Sequence, residues 1–306
     1  MSVPARCTGA VALAVTLMAA SASPGQKLLR YKFIPGQAHR YGVTQKMVQS
    51  VATPERTVKI TLTQTMDTRQ QTDAVDAEGV ASLVQTVERV RMDMELPQGR
   101  KVHYDSAAKE PPEGIAKAYA GAVGSLVNRP IQLKLTPRGE ARKAELPADA
   151  LEGLKKAVGP AAEVAAPENL SQLTNLAVLP EGPVSAGHTW KHEAAVTNPA
   201  FGKLLVQTTY RYEGEESRQG RTLDKISFTM TLSFPEKGTL ATANIKAQES
   251  RGTIYFDAAL GRLVESASTA RLKMATSVAG MVLDQDMEMI TEVKLQPAEA
   301  PPPAKP

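Results

Sequence analysis

Lys225-Ile226-Ser227-Phe228-Thr229-Met230-Thr231-Leu232-Ser233-Phe234 sets five apolar side chains in strict alternation with five polar ones. A period of two puts all the apolar groups on one side of an extended chain, whereas a helix would scatter them around its axis. The stretch therefore reads as a strand with one dry and one wet face, the pattern of an antiparallel sheet. The alternation recurs through Val58, Ile60, Leu62 and Met66. After a turn at Asp76-Ala77-Glu78-Gly79 it resumes through Val80, Val84, Val90, Met92 and Met94, which predicts a long hairpin. Leu272 and Met274 continue a row begun at Val264, and Leu283, Met287, Met289, Val293 and Leu295 make the last. Runs of about twelve to sixteen residues, against a usual five or six, predict a large and strongly curved sheet.

Three middle segments break the alternation. Pro111-Pro112-Glu113 precedes residues 114–127, where Ile115, Ala118, Tyr119, Ala122 and Leu126 recur at helical spacing. Pro147 opens a second helical stripe with Leu151, Leu154 and Val158, and Pro167 a third with Leu170, Leu173 and Leu176. Strands, a helical middle and further strands predict an α+β class, with long antiparallel strands in one curved sheet and two or three helices packed on one face. The reading is a single domain over residues 27–296, with a subdomain boundary near residue 180 at Pro180-Glu181-Gly182-Pro183, since either half alone would leave a long open edge. Residues 297–306 hold five prolines and are expected to be a disordered tail.

At the other end, Arg6 precedes an apolar stretch over residues 10–20 and the small-residue triplet Ala20-Ser21-Ala22. This is the layout of an export signal cleaved between Ala22 and Ser23. A helix of that stretch rises only about 16 Å against a hydrocarbon core of about 30 Å, so no integral span is expected after cleavage. The product would be periplasmic or secreted. Cys7, the single cysteine of the 306 residues, leaves with the signal, so the mature chain is held by its core and not by disulfides. With 42% hydrophobic and 22% charged residues it is a folding chain. The net charge of +4 is scattered rather than gathered in a stripe, which argues against nucleic acid as a partner.

The chemical inventory is sparse. His188 and His192 flank Trp190 at a spacing that would clamp a metal on a helix, but Thr189, Trp190 and the preceding Gly187 favour a strand. There the two rings lie about 13 Å apart, beyond the reach of one ion. Asp284, Asp286 and Glu288 share a strand face, without the glycine turn of a calcium loop, and read as a solvated row. No G-x-S-x-G elbow, Walker loop or G-x-G-x-x-G is present, and no cofactor, metal or catalytic residue is assigned. The expectation is a non-enzymatic protein that binds a hydrophobic ligand or an envelope component. Met66, Met92, Met94, Met230, Met287 and Met289 are the candidate ligand face, because methionine suits an adaptable apolar cavity as well as ordinary core filling. Two alternatives stand beside it: a structural or interaction module of the cell envelope, and a hydrolase using an Asp/Glu pair.

A set of phrases spans nearly all the mature chain: Leu29-Arg30-Tyr31-Lys32-Phe33, Tyr104-Asp105-Ser106, Thr136-Pro137-Arg138-Gly139-Glu140, Gly187-His188-Thr189-Trp190, Tyr212-Glu213-Gly214 and Gly261-Arg262-Leu263. In this combination the sequence resembles a family of uncharacterised secreted bacterial proteins grouped as a domain of unknown function. His188 stands where that family's G-x-T-W phrase carries an acidic residue. The resemblance transfers no catalytic residue. The order of elements is also similar to lipoprotein-carrier folds, which implies a curved antiparallel sheet with helices over its concave side. Expressed in a bacterium with residues 1–22 intact, the exported protein is expected to begin at Ser23 by intact mass and N-terminal sequencing; a membrane-retained chain still carrying residues 1–22 refutes the export reading.

Overall fold

Tyr41 lies opposite Leu295, and Met47 opposite Met289, so the first strand of the chain pairs antiparallel with the last. The computed structural model describes residues 25–297, apart from 53–54, 160–161, 163–164, 175, 199–201, 238–240 and 279–280. The expected export signal with its Ala22–Ser23 junction, and residues 298–306 of the proline-rich tail, lie outside the described residues. The strands are β1 Ala38–Ala52, β2 Thr57–Val75, β3 Ala81–Glu95, β4 Lys101–Asp105, β5 Pro130–Leu135, β6 Ala141–Glu145, β7 Thr189–Asn198, β8 Gly202–Arg218, β9 Arg221–Lys237, β10 Ala241–Asp257, β11 Arg262–Val278 and β12 Met281–Leu295. They join one antiparallel sheet in the order β6-β5-β3-β2-β1-β12-β11-β10-β9-β8-β7, with β4 pairing β3 off that path.

The α+β expectation is corrected by this architecture: the protein is mostly β, with 62% strand and, among the described residues, three small α-helices. The helices are α1 Gly114–Gly124, α2 Ala148–Val158 and α3 Pro167–Leu173. They do not roof the sheet. α1 packs on β4 and α2, and α3 lies between β6 and β7, the two ends of the strand order. The helical stripes were legible because a short helix needs only two or three apolar residues on one side, but so short a stripe covers only the strands beside it. Between the helices, Ile131, Leu133 and Leu135 alternate with exposed neighbours, and this stretch forms β5 instead of a connecting loop. Asn169 of α3 treats the edge of β7 as a strand would. Its amide donates to Thr197 O at 2.7 Å and its Oδ1 accepts from Thr197 N at 2.8 Å.

The core sits where residues 27–34 cross the inner side of the sheet. Leu29 and Phe256 are fully buried, and the Tyr31 ring meets Phe256 edge-on at 5.2 Å. Each such side chain contributes about 1.5–3 kcal/mol by leaving water. Phe33 and Leu176 touch both this cluster and the one formed by Ala81, Leu83, Ile131, Leu133 and Leu135, so the two merge into one body. Gly261 lets the crossing segment approach. Lys32 N donates to its carbonyl at 2.9 Å, and a Cβ there would overlap Lys32 at a backbone φ of +63°.

Away from the core the sheet is incompletely zipped. Among the described residues the β9–β10 ladder runs from Gly252–Phe228 to Phe256–Asp224. Beyond Gly252 a side chain spans the seam: Gln248 Oε1 accepts from Leu232 N at 2.7 Å and its amide donates to Leu232 O at 2.9 Å. Seam-facing amides of residues 229–236 and 242–250 are therefore expected to exchange with deuterium faster than those of residues 224–228, and uniform protection along β9 refutes the open seam. At the β3–β4 end, Arg89 Nε donates to Asp105 Oδ1 at 3.0 Å and Ala107 N to the same oxygen at 2.9 Å. The guanidinium first, then the amide, hold the Asp105 carboxyl down to about 2 from its ordinary 3.8. A folded value below the unfolded one gives stability that is present above the ordinary range and lost as pH falls toward the folded value. Asp105→Asn is expected to lower the melting temperature at neutral pH and to match the parent in strong acid, whereas an equal deficit at every pH refutes the assignment.

Candidate functional site

The ladder registers settle which side chains share a face. Met47 opposes Leu62 on one side and Met289 on the other, Met289 opposes Ala270, and Met287 opposes Gln49 and Leu272. Directly opposed residues point the same way, so this row lies on the face that carries Tyr41 and, further across, Ile226 and Phe256 of the core. Met66, Met92, Met94, Met230, Met287 and Met289 all fall on that inner face, together with Met47 and Met274.

The six candidates divide into two groups. Met92 is fully buried with Val90, Tyr104 and Ala116, and Met66 and Met94 pack against that cluster beneath α1. Met230, Met287 and Met289 are half-buried on β9 and β12, whereas the helices pack on β4, β6 and β7. The first group is core; the second lines an inner face without helical cover. Amides punctuate it. Gln45 Nε2 lies 2.9 Å from Met289 Sδ, Gln49 donates to Gln285 at 3.2 Å, and Gln285 donates to Thr276 Oγ1 at 3.1 Å. At the border, Tyr119 Oη donates to Gln64 at 2.8 Å, and burial pushes its phenol up to about 12, so it stays a neutral donor. The surface is apolar with hydrogen-bonding groups set into it, which suits a molecule with both characters.

The glutamines escaped the sequence reading because they occupy positions that hydropathy alternation assigns to the dry side. The signal was the spacing itself: Tyr41, Val43, Gln45, Met47, Gln49 and Val51 are two apart. A glycine also shapes this face. Phe228 lies over Gly252, where a Cβ would overlap the ring, and meets Tyr210 at a tilt with centroids 6.0 Å apart, while Trp190 stacks on Tyr210 at 5.3 Å. Trp190 is anchored by its Nε1 donating to Val178 O at 2.8 Å, with His188 stacked beside it and His192 inside β7.

On the outer face, Asp284 meets Lys246 at 2.6 Å, Asp286 meets Lys273 at 3.4 Å, and Glu288 meets Arg271 at 3.2 Å. The acidic row is thus a cross-strand ion ladder, and among the described residues no group of three or more metal-ligating side chains occurs. One pair of acids does converge. Glu215 and Asp224 oppose each other across β8 and β9, but Lys27 Nζ sits 2.6 Å and 2.9 Å from them. Tyr212 Oη donates to the buried Asp224 at 2.8 Å. An ammonium shared by two carboxylates offsets part of their repulsion and pins the start of the described chain to the core.

No family model and no curated protein matches the chain by sequence. Among solved structures it is similar to a chain from a study of lipid–protein interactions in lipovitellin, at 16% identity and a TM-score of 0.49. That match covers 90% of this chain and 26% of the other, so the protein spans about a quarter of the lipovitellin chain. It is also similar to a protein with a YmcC-like fold from Bacteroides fragilis, at 7% identity and a TM-score of 0.24, covering 87% and 97% of the two chains. An outer-membrane lipoprotein-sorting protein domain from Vibrio parahaemolyticus matches at 8% identity and a TM-score of 0.14, covering 85% and 87%.

Proposed function

We propose that this protein is an exported, non-enzymatic binder of an apolar or amphipathic molecule, held against the inner face of β9–β12 and β1. The observation that carries the reading is the position of Met230, Met287 and Met289, with Met47 and Met274, on one side of the sheet, half-buried and away from the three helices. Met92 beneath α1 is fully buried, whereas these side chains keep part of their surface exposed where no helix covers them. Thioethers are flexible and polarizable, so such a surface can mould itself to chains of differing length. Gln45, Gln49 and Gln285 give a polar group on the ligand something to meet. Export rests on Arg6, the apolar residues 10–20 and the Ala20-Ser21-Ala22 triplet.

The full chain, expressed with its own export segment, is expected to carry lipid-mass adducts in native mass spectrometry. After delipidation it should bind a fluorescent fatty acid, and Met287→Gln combined with Met289→Gln should weaken that binding by about tenfold, the cost of removing one well-buried apolar side chain. An adduct-free protein that ignores the probe, or a double variant that binds it like the parent, overturns the reading.

A further inference from the structure

At the end of the sheet where β1 begins and β12 ends lies an open groove of about 970 Å³ whose lining includes His39, Arg40, Arg69, Glu88, Arg221 and Arg262. Its charge arrangement differs from that of β11 and β12. Along β11 and β12 each cation stands opposite an acid, as in Arg271–Glu288 and Lys273–Asp286. At the groove Arg40 stands opposite Arg69 across β1 and β2. Arg218 likewise stands opposite Arg221 across the tight turn of Gln219 and Gly220, whose φ values of 51° and 75° fix the two strands close together. Like charges directly opposed destabilise a sheet.

Local acids offset only part of this. Glu88 takes Arg40 at 2.9 Å. Glu265 takes Arg218 at 3.3 Å, while that guanidinium lies 4.0 Å over the Tyr255 ring. The others have uncharged partners at best: Arg69 donates to Gln71 Oε1 at 2.7 Å, and Arg262 reaches His39 Nε2 at 2.8 Å. Burial, reinforced by Arg262, lowers the His39 pKa from its ordinary value, which keeps that ring neutral. Among the described residues Arg69, Arg221 and Arg262 form no ion pair with an acid; Arg262 stands opposite Asp257, whose Oδ1 instead accepts from Leu260 N at 2.9 Å. Four arginines against one glutamate line a cavity of the size that holds a small molecule, and none of the methionines is part of its lining.

We propose that this groove is a second binding site, taking a ligand that carries phosphate groups, with Arg69, Arg221 and Arg262 as its anchors. Guanidinium forks grip phosphate oxygens two at a time, and a bound anion relieves the repulsion that the opposed pairs build in. The volume exceeds that of a lone phosphate, so the phosphates belong to a larger body, either a soluble phosphorylated molecule or a phospholipid headgroup.

Two probes separate those sources: inorganic pyrophosphate by titration calorimetry, and co-sedimentation with vesicles of phosphatidylglycerol and phosphatidylcholine against vesicles of phosphatidylcholine alone. Either binding is expected to fall about tenfold with Arg221→Gln, an exposed turn position, and with Arg69→Gln, the loss of one charge-assisted hydrogen bond each. Arg100→Gln, exposed and outside the groove, should change nothing. Without ligand, Arg69→Gln should melt higher than the parent, because an opposed like charge is gone. Pyrophosphate binding alone assigns a soluble ligand, and selective binding to the anionic vesicles assigns a headgroup. No binding to either probe, or parental affinity in both Arg69→Gln and Arg221→Gln, overturns the proposal. Neither result bears on the methionine face, which is read by its own fatty-acid probe.

Discussion

The ladder between β1 and β12 joins residues that lie more than two hundred positions apart in sequence, and the rest of the sheet is built outward from it. From Tyr41–Leu295 to Ala52–Asp284 the two strands pair without a bulge. A one-residue slip would turn Met47 and Met289 to the water and bring Lys46 and Glu288 to the core side. The register of this one pair therefore decides which side of the molecule is apolar. It also removes two edges, since β1 and β12 would otherwise each present unpaired backbone. The ends that remain, β6 and β7, are short or braced by α3, with Asn169 supplying the hydrogen bonds that a further strand would have made.

The sequence reading followed the hydropathy period, and its successes and failures track where the structure is dry on one side. Residues 225–234 alternate cleanly and lie wholly within β9. The turn at Asp76–Gly79 and its two long strands were legible for the same reason. β1, β8 and β10 were harder, because Gln45, Gln49, Thr208, Gln248 and Ser250 occupy inner-face positions. A face that is only half-buried tolerates such groups, so alternation fades toward the uncovered part of the sheet. The candidate face was legible through its methionines but not through its amides, and the arginine groove was not legible at all. Opposition between Arg40 and Arg69 exists only once the register is known.

The class error has a related cause. Apolar residues at helical spacing over 114–127 and 147–158 correspond to real helices, but those helices do not make a layer. A layer needs length to match the strands it covers. Eleven residues of helix rise about 16 Å, whereas a seventeen-residue strand such as β10 runs about 55 Å, so the helices can roof only one corner. That mismatch is what leaves β9–β12 with an unroofed inner side.

The seam between β9 and β10 follows from the same shortage of cover. Close to the core, Phe228 and Ile254 are packed under Tyr210 and Phe256, and the backbone ladder closes there. Further out the backbone pairing stops, and Gln248 substitutes for the ladder at Leu232. A side-chain amide satisfies the same donor and acceptor as a strand would but does so at the end of a flexible arm, so the separation of β9 from β10 is set less rigidly than the separation inside a ladder. Met230 stands on one side of that seam and Met274, on β11, one strand beyond the other. The part of the inner face with the most adaptable side chains is thus also the part where the backbone is least constrained, and both properties arise from one geometric fact: the strands outrun the helices.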